Sequence, residues 1–299
     1  MRIFDEIKLA FQKSDNTINQ LIIINAIVFV VLVLLYVILS ISGQEAIFAI
    51  IYDQFSLPPS FAEFITKPWT LFTTFFTHSL SDIFHIVFNM LFLYWFGRII
   101  SDFIGSKKLL SIYILGGIAG GVLYLLMYNF IPFFIERQPS GLVGASSSIY
   151  AIMVASATLL PDYELRLFIF GRIKLVWLVS IYVFVSYLGL IGSNAGGEMA
   201  HIGGAILGYF YIKQLQKGND WSKPVIKVLY WFRDLFKPKP KIKVSYRANK
   251  SKKEKNSTNV TSGKKPNQDQ IDRILDKISE SGYESLSKEE KQLLFQASE

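Results

Sequence analysis

The stretch GLVGASSSIY, residues 141–150, stands where an apolar run of membrane length begins. Glycine lets the backbone bend and approach a reacting group closely, and Ser146 falls at a helix start, where backbone N–H groups lack intrahelical partners. This is a suitable setting for a nucleophile. A serine in a membrane helix is more often a packing residue, which bonds a carbonyl one turn earlier or on a neighbouring helix. The stretch alone leaves both interpretations open.

The composition is that of a membrane protein. Of the 299 residues, 51% are hydrophobic and 15% are aromatic, and the mean hydropathy is positive. The chain has no cysteine, which excludes disulfides, thiol nucleophiles and thiolate metal sites, and three histidines make a weak case for a metal. We therefore expect neither a metal nor a cofactor. The net charge of +8 is concentrated in the C-terminal tail, which favours contact with a lipid bilayer over nucleic acid.

Six apolar runs predict an all-α membrane protein with six transmembrane helices, at about residues 18–41, 82–99, 109–131, 144–161, 173–192 and 199–215. The first run is too long for the apolar part of a signal peptide and has no cleavage site directly after it, so it should be retained. Basic residues gather in the N-terminal segment and in the connections after the second and fourth runs. By the positive-inside rule, both termini of this multi-pass protein should be cytoplasmic.

The pattern divides the chain into five segments. An amphipathic helix should lie on the membrane surface before the first span, and a basic amphipathic helix, or a solvated helix end, should follow the last span. A polar stretch then predicts a disordered linker. Gly282 as a stop, and Ser287 with Glu290 as a capping box, predict a closing pair of helices. The expected segments are 1–16 (amphipathic), 17–217 (six-helix domain), 218–237 (basic helix), 238–268 (linker) and 269–299 (helical pair).

Polar residues from three spans are predicted to meet near the outer surface. Spans two, four and six run in the same direction, and His85, Ser146 and His201 each lie near the start of one of them. An ionisable residue left unpaired in a membrane costs several kcal/mol, so these residues are candidates for a functional site. A serine hydroxyl beside a neutral imidazole supports acyl transfer, with His201 taking the proton of Ser146.

Two residues of span two could stabilise negative charge at this site. Asn89 follows His85 by four residues, so both side chains project from one helix face and can donate hydrogen bonds to a developing oxyanion. The nearest acids, Asp82 and Glu198, do not fall with certainty on the face that would orient His201. We therefore expect a Ser–His dyad rather than a triad.

At these residues the sequence closely resembles the rhomboid family of intramembrane serine proteases. The resemblance covers about residues 17–215 and rests on three elements in order: His85-Ile-Val-Phe-Asn89, Gly144-Ala145-Ser146, and Ala200-His201-Ile202-Gly203-Gly204 continuing to Gly208. A Gly-x-Ser alone would be weak support. Three elements in this order, in a chain with six apolar runs, are specific.

The resemblance implies an activity and a role for each of these residues. A rhomboid would cut single-span transmembrane substrates near the outer membrane face, without a cofactor. The implied roles are nucleophile for Ser146, base for His201, oxyanion donors for His85 and Asn89, packing on the His201 ring for Tyr150, and site support for Gly144, Gly204 and Gly208. Residues 266–299 resemble the C-terminal extension of bacterial rhomboids of the Bacteroidetes type, which implies a bacterial cytoplasmic membrane.

Three positions depart from the family pattern. Thr70 follows Trp69 where many members have arginine, so a polar anchor of the outer loop is missing. Ser147 replaces a glycine that often follows the nucleophile. His78 precedes His85 by seven residues where five is common, and it should lie at the outer rim as an interfacial or loop-anchoring residue.

Two other classes of protein compete with a protease. A catalytically silent scaffold would bind transmembrane clients with the same fold, but it would be expected to lack the serine or the histidine, and both are present. A channel or transporter should spread its ionisable residues through the membrane depth, whereas here they gather at one level. A protease would admit its client between spans two and five, with Trp177, Phe184 and Tyr187 as candidate gate residues.

Overall fold

The computed structural model is mostly helical and describes residues 3–12, 16–137, 139, 141–167, 171–235 and 268–297. The chain divides into two compact units, Met1–Pro238 and Lys239–Glu299. The helices of the first unit are α1 (Ile3–Gln12), α2 (Thr17–Ile41), α3 (Glu45–Asp53), α4 (Phe61–Thr66), α5 (Thr70–Thr73), α6 (Ile83–Ile104), α7 (Ser106–Phe130), α8 (Pro132–Ile135), α9 (Ser146–Leu159), α10 (Leu175–Gly189), α11 (Ala195–Gln216) and α12 (Ser222–Leu235). The second unit contains α13 (Gln268–Ser281) and α14 (Lys288–Ala297).

The six apolar runs coincide with α2, α6, α7, α9, α10 and α11. Among the described residues, three of these helices, α2, α6 and α7, are long and apolar enough to cross a membrane. The helices α9 and α10 are apolar but have only 14 and 15 residues. A helix of that length rises about 21–23 Å, less than the ~30 Å hydrocarbon core. The fold therefore supplies three clear membrane-spanning candidates rather than the expected six.

The helix α9 forms the centre of the first unit and contacts α6, α7, α10 and α11. Its contact with α11 is made backbone to backbone. A Cβ added to Gly204 would overlap the carbonyl oxygen of Ser147, and one added to Gly208 would overlap that of Ala151. Small residues allow this approach, which fixes the start of α9 against α11.

One element contradicts the expectation of an all-α chain. Residues after α9 form an antiparallel hairpin of β1 (Glu164–Leu167) and β2 (Gly171–Lys174), with Glu164 opposite Lys174 and Arg166 opposite Arg172. Both segments alternate charged and apolar residues, which is the period of a strand. The sequence prediction placed a plain loop here because it weighed only the charges of this connection.

The second unit consists of the two helices α13 and α14. Gly282, with a φ of 78°, ends α13 in a conformation that favours glycine. The capping box is present: the Ser287 N–H donates to Glu290 Oε2 at 2.7 Å, and the Glu290 N–H donates to Ser287 Oγ at 3.2 Å. The expected linker, 238–268, lies outside the described residues apart from its last residue.

Candidate active site

Ser146 is the first residue of α9, and the turn before it requires glycine. Gly144 has a φ of 129°, and its N–H donates to the Thr74 carbonyl at 2.9 Å. A Cβ at Gly144 would stand 2.8 Å from His85 Nε2 and 3.6 Å from Ser146 Oγ. The missing side chain therefore leaves open the space that lies between the serine hydroxyl and the His85 ring.

His201 reaches Ser146 from α11. Its Nε2 lies 2.7 Å from Ser146 Oγ, which is hydrogen-bond distance. Tyr150, one turn after Ser146 on α9, stacks on the His201 ring with centroids 4.2 Å apart and planes 6° from parallel. The Tyr150 hydroxyl donates to the Tyr182 carbonyl at 3.3 Å. The stacked tyrosine holds the plane of the imidazole, so its nitrogen points at the serine.

A carboxylate also lies against His201. Glu198 Oε2 is 3.0 Å from His201 Nδ1, and Ser186 Oγ of α10 is 3.1 Å from the same nitrogen. The expectation that no acid orients His201 is therefore wrong. Residues three apart on a helix share a face, so the position of Glu198 three residues before His201 was the available signal. Gly189 makes room for the carboxylate, because a Cβ there would stand 2.7 Å from Glu198 Cγ.

His85 and Asn89 line the same cavity as Ser146 and His201, a space of about 440 Å³. Asn89 Nδ2 donates to the His85 carbonyl at 2.8 Å, so its amide is bonded to its own helix. The structure thus brings the four expected residues to one cavity. Within the part of the chain that the structure describes, only Ser146 and His201 of these four are hydrogen-bonded to each other through side chains.

His78, expected at the outer rim as an interfacial or loop-anchoring residue, is fully buried beside His85. Its side chain is inaccessible to solvent, and its ring centroid is 5.3 Å from that of His85. Its carbonyl accepts a hydrogen bond from the Tyr52 hydroxyl at 3.1 Å, which ties it to α3. Burial, and then the neighbouring His85, lower the pKa of His78 to about 3. The ring is therefore neutral at physiological pH.

Lys67 supplies the polar anchor whose absence was expected from Thr70. Its side chain is only 5% exposed, and its Nζ lies 2.5 Å from Asp53 Oδ2 and 2.7 Å from Glu63 Oε1. Burial alone would lower the pKa of Lys67, but the hydrogen bonds and charges of the two carboxylates outweigh it and raise the pKa. The ion pairs join α3 to α4 in the connection that precedes α6.

An aromatic contact lies between α6 and α10, the two helices between which a client is expected to enter. Phe92 and Tyr182 meet edge to face with ring centroids 5.2 Å apart. Trp177 is 65% exposed, while Phe184 and Tyr187 line a groove beside α11. The gate role expected for Trp177, Phe184 and Tyr187 stays a prediction.

The fold and the site define a helical membrane protein with a serine–histidine pair in a cavity between its helices. Residues 66–217, half of the chain, match the Rhomboid domain, and the chain therefore belongs to the rhomboid family. Residues 258–299 match a family of unknown function (DUF6576).

Two relatives are mitochondrial proteins of this family. The chain is 33% identical over 161 residues to "RHOMBOID-like protein 12, mitochondrial" of Arabidopsis thaliana, covering 50% of this chain and 47% of that protein. It is 26% identical over 158 residues to "Rhomboid protein 1, mitochondrial" of Saccharomyces cerevisiae, covering 50% and 42%. The chain thus spans about half the length of the curated relatives it matches.

Proposed function

We propose that this protein is an intramembrane serine endopeptidase that cleaves transmembrane-helix substrates. The observation that carries the proposal is the 2.7 Å separation of Ser146 Oγ and His201 Nε2 inside a helical membrane protein. An imidazole at that distance can take the serine proton and raise the nucleophilicity of the hydroxyl. Membership of the rhomboid family supports the same reaction class.

In the proposed mechanism, Ser146 Oγ attacks the carbonyl carbon of the scissile peptide as its proton passes to His201 Nε2. The ring returns this proton to the leaving amine, the C–N bond breaks, and water then hydrolyses the acyl-enzyme. Glu198 and Ser186 bond Nδ1, which keeps Nε2 free to accept. The Ser146 N–H at the start of α9 and the His85 ring are the proposed oxyanion donors. Asn89 joins them once its amide leaves the His85 carbonyl.

The proposed topology has α2, α6, α7, α9, α10 and α11 as six spans with both termini cytoplasmic. The basic connections after α6 and α9 support this orientation, and it places Ser146 near the outer surface. The short α9 fits the proposal because α6, α7, α10 and α11 surround it, so its ends need not reach lipid. The proposed location is a bacterial cytoplasmic membrane, on the resemblance of residues 266–299 to bacterial extensions.

The proposed substrates are single-span membrane proteins cut near the outer end of their helix. A helix hides its carbonyls in hydrogen bonds, so the client must unwind before attack. Small residues fit the 440 Å³ cavity, and each glycine lowers the cost of unwinding by about 1 kcal/mol relative to alanine. For the client to enter, α6 and α10 would separate at the Phe92–Tyr182 contact.

The test is cleavage of a single-span substrate, with the cut site mapped by mass spectrometry. The wild type should cut near the outer end, and the cut should follow a Gly-Ala pair that is shifted along the substrate. Ser146→Ala should abolish cleavage, whereas Ser148→Ala, a matched change two residues on, should retain it. Cleavage by Ser146→Ala, or at the cytoplasmic end, would refute the proposal. Client binding without cleavage by the wild type would identify a silent scaffold instead.

A further inference from the structure

A basic cavity of about 620 Å³ lies between the first turn of α7 and the helix α12. Lysines from both helices and two aromatic residues line it: Lys107, Lys108, Lys223, Lys227, Tyr230 and Trp231. We refer to it as the lysine cavity. It lies at the end of the helical bundle where α6 ends, α7 begins and α11 ends, whereas Ser146 and His201 lie near the starts of α9 and α11.

The two acidic residues at the lysine cavity also bond groups on α12. Asp220 accepts hydrogen bonds from the Ser222 N–H at 2.9 Å and the Ser222 hydroxyl at 2.6 Å, and it thereby caps α12. It stands 3.8 Å from Lys108 Nζ. Asp234 pairs with its neighbour Arg233 at 2.9 Å. Asp220 thus bonds Ser222 and Lys108 and is close enough to Lys223 to feel its charge, and Asp234 bonds Arg233.

The lysine cavity keeps a net positive charge. Counting only ion pairs between described residues, Lys107, Lys223 and Lys227 have no carboxylate partner. All three residues are exposed to solvent and lie around one cavity, and like charges that share a cavity repel one another. A bound anion would remove the repulsion and gain hydrogen bonds from several donors at once.

The outer side of α12 adds an apolar surface next to this charge. Four large residues at i, i+3, i+4 and i+7 are each more than half exposed: Val228, Trp231, Phe232 and Leu235. Lys223 and Lys227 lie on the adjacent side of the helix, toward α7. Trp231 belongs to both surfaces, as interfacial tryptophans do. The helix thus presents positive charge and apolar surface side by side, which matches the two parts of a phospholipid.

We propose that the lysine cavity binds the phosphate headgroup of an anionic glycerophospholipid, whose acyl chains lie along the apolar side of α12. The cavity is larger than one phosphate ion, and free phosphate would leave the apolar side uncovered. Clustered lysines beside a membrane helix attract anionic headgroups through charge and hydrogen bonds. This binding site is independent of the proposed proteolysis.

The test is native mass spectrometry of the full chain in detergent, titrated with phosphatidylglycerol and with phosphatidylcholine. The wild type should retain phosphatidylglycerol in preference to phosphatidylcholine. The double variant Lys223→Gln/Lys227→Gln should bind phosphatidylglycerol about 30-fold more weakly, with phosphatidylcholine binding unchanged. Lys107→Gln, on the other helix, should weaken binding in the same direction and guards against a local defect in α12.

Arg166→Gln/Arg172→Gln is the matched control, because it also removes two positive charges, from the exposed β-hairpin. It should leave phosphatidylglycerol binding unchanged. An equal loss in this control would show that binding depends on general surface charge, which would overturn the proposed site. Displacement of the lipid by millimolar inorganic phosphate would also overturn it, since the cavity would then bind a free anion. The proposed site would likewise be overturned if neither Lys223→Gln/Lys227→Gln nor Lys107→Gln altered phosphatidylglycerol binding.

Discussion

The Nδ1 atom of His201 is held by two groups, the carboxylate of Glu198 on its own helix and the hydroxyl of Ser186 on α10. A proton on Nδ1 leaves Nε2 with a lone pair aimed at Ser146. The hydrogen bonds of Glu198 go to His201 and not to Ser146, so we regard it as a positioning residue for the proposed reaction. Its contribution should depend on geometry and on the tautomer of the ring.

Glu198→Gln is expected to lower kcat by about 10–100-fold with little change in KM. The loss should be smaller than that for a buried triad aspartate, because Ser186 can still accept the proton of Nδ1. Adding Ser186→Ala should lower kcat further, and Glu198→Asp should recover part of the activity. Steady-state cleavage of a quenched transmembrane peptide gives both constants. An unchanged kcat in the double variant would exclude the positioning role.

At the scale of single residues, order along the chain was more informative than any one motif. Ser146, His85 and His201 could be predicted to share a site because three elements recur in family order. Glu198 was missed although it precedes His201 by three residues on the same helix, because spacing alone does not reveal the space that Gly189 leaves for its carboxylate. The burial of His78 could not be predicted either, because the exposure of a loop residue depends on which helices pack around it.

The close contact between α9 and α11 should not tolerate even the single methyl group that alanine would add at Gly204. Gly204→Ala should destabilise the protein by about 3 kcal/mol or more. The new Cβ would overlap the carbonyl oxygen of Ser147, which cannot move without distorting α9. Cleavage should fall with it, since the shift separates Ser146 from His201. The melting temperature in detergent and the cleavage rate measure the two effects.

Gly97→Ala on α6 is the control for this change. The nearest atom to a Cβ there is a Leu109 methyl at 3.5 Å, an ordinary contact. Alanine is the better helix former by about 1 kcal/mol, so this variant should be neutral or stabilised. If Gly204→Ala behaved like Gly97→Ala, the close packing of α9 on α11 would be disproved.

Removing Lys67 and removing its two carboxylate partners should lower the free energy of unfolding by different amounts. Lys67→Met should cost about 1–2 kcal/mol, because the two carboxylates it leaves are almost half exposed and water can solvate them. Asp53→Asn with Glu63→Gln should cost more, since it leaves a buried ammonium without a counter-charge. Thermal unfolding of both variants tests the order, and the reverse order would contradict it.

The stabilisation that Lys67 provides should depend on pH because its pKa is raised in the folded state. A raised pKa stabilises the folded state at every pH below the unfolded value of 10.5, and the contribution is lost as the pH rises through the folded value. The wild type should therefore lose its advantage over Lys67→Met only in strongly alkaline buffer. A difference that vanished near neutral pH would assign the effect to packing instead.

Helices were easier to predict from the sequence than the connections between them. The apolar runs located α2, α6, α7, α9, α10 and α11 because a membrane-length run leaves the backbone little alternative to a helix. The hairpin Glu164–Lys174 was missed, since four residues per strand carry a weak periodic signal. Lys67 was missed for a related reason: its carboxylate partners lie on two separate short helices, and nothing local brings them together.

On the scale of the whole molecule, α12 belongs to the first unit although it follows the last apolar helix. Trp221 meets the ring of Tyr211 with centroids 6.1 Å apart, and Asp220 faces Lys108 on α7. The first unit extends to Pro238, whereas α13 and α14 lie in the second. The functional boundary should therefore fall after α12 and not directly after α11.

Truncation after Leu235 should leave cleavage and the melting temperature in detergent unchanged, because it retains every described helix of the first unit, α1 to α12. Truncation after Asp220 removes Trp221 and the whole of α12 and should lower the melting temperature by several degrees. Truncation after Asp220 should also abolish the preference for phosphatidylglycerol, whereas the chain that ends at Leu235 should keep this preference. Thermal unfolding with and without this lipid compares the two truncations. A loss of folded protein on truncation after Leu235 would show that the second unit stabilises the first.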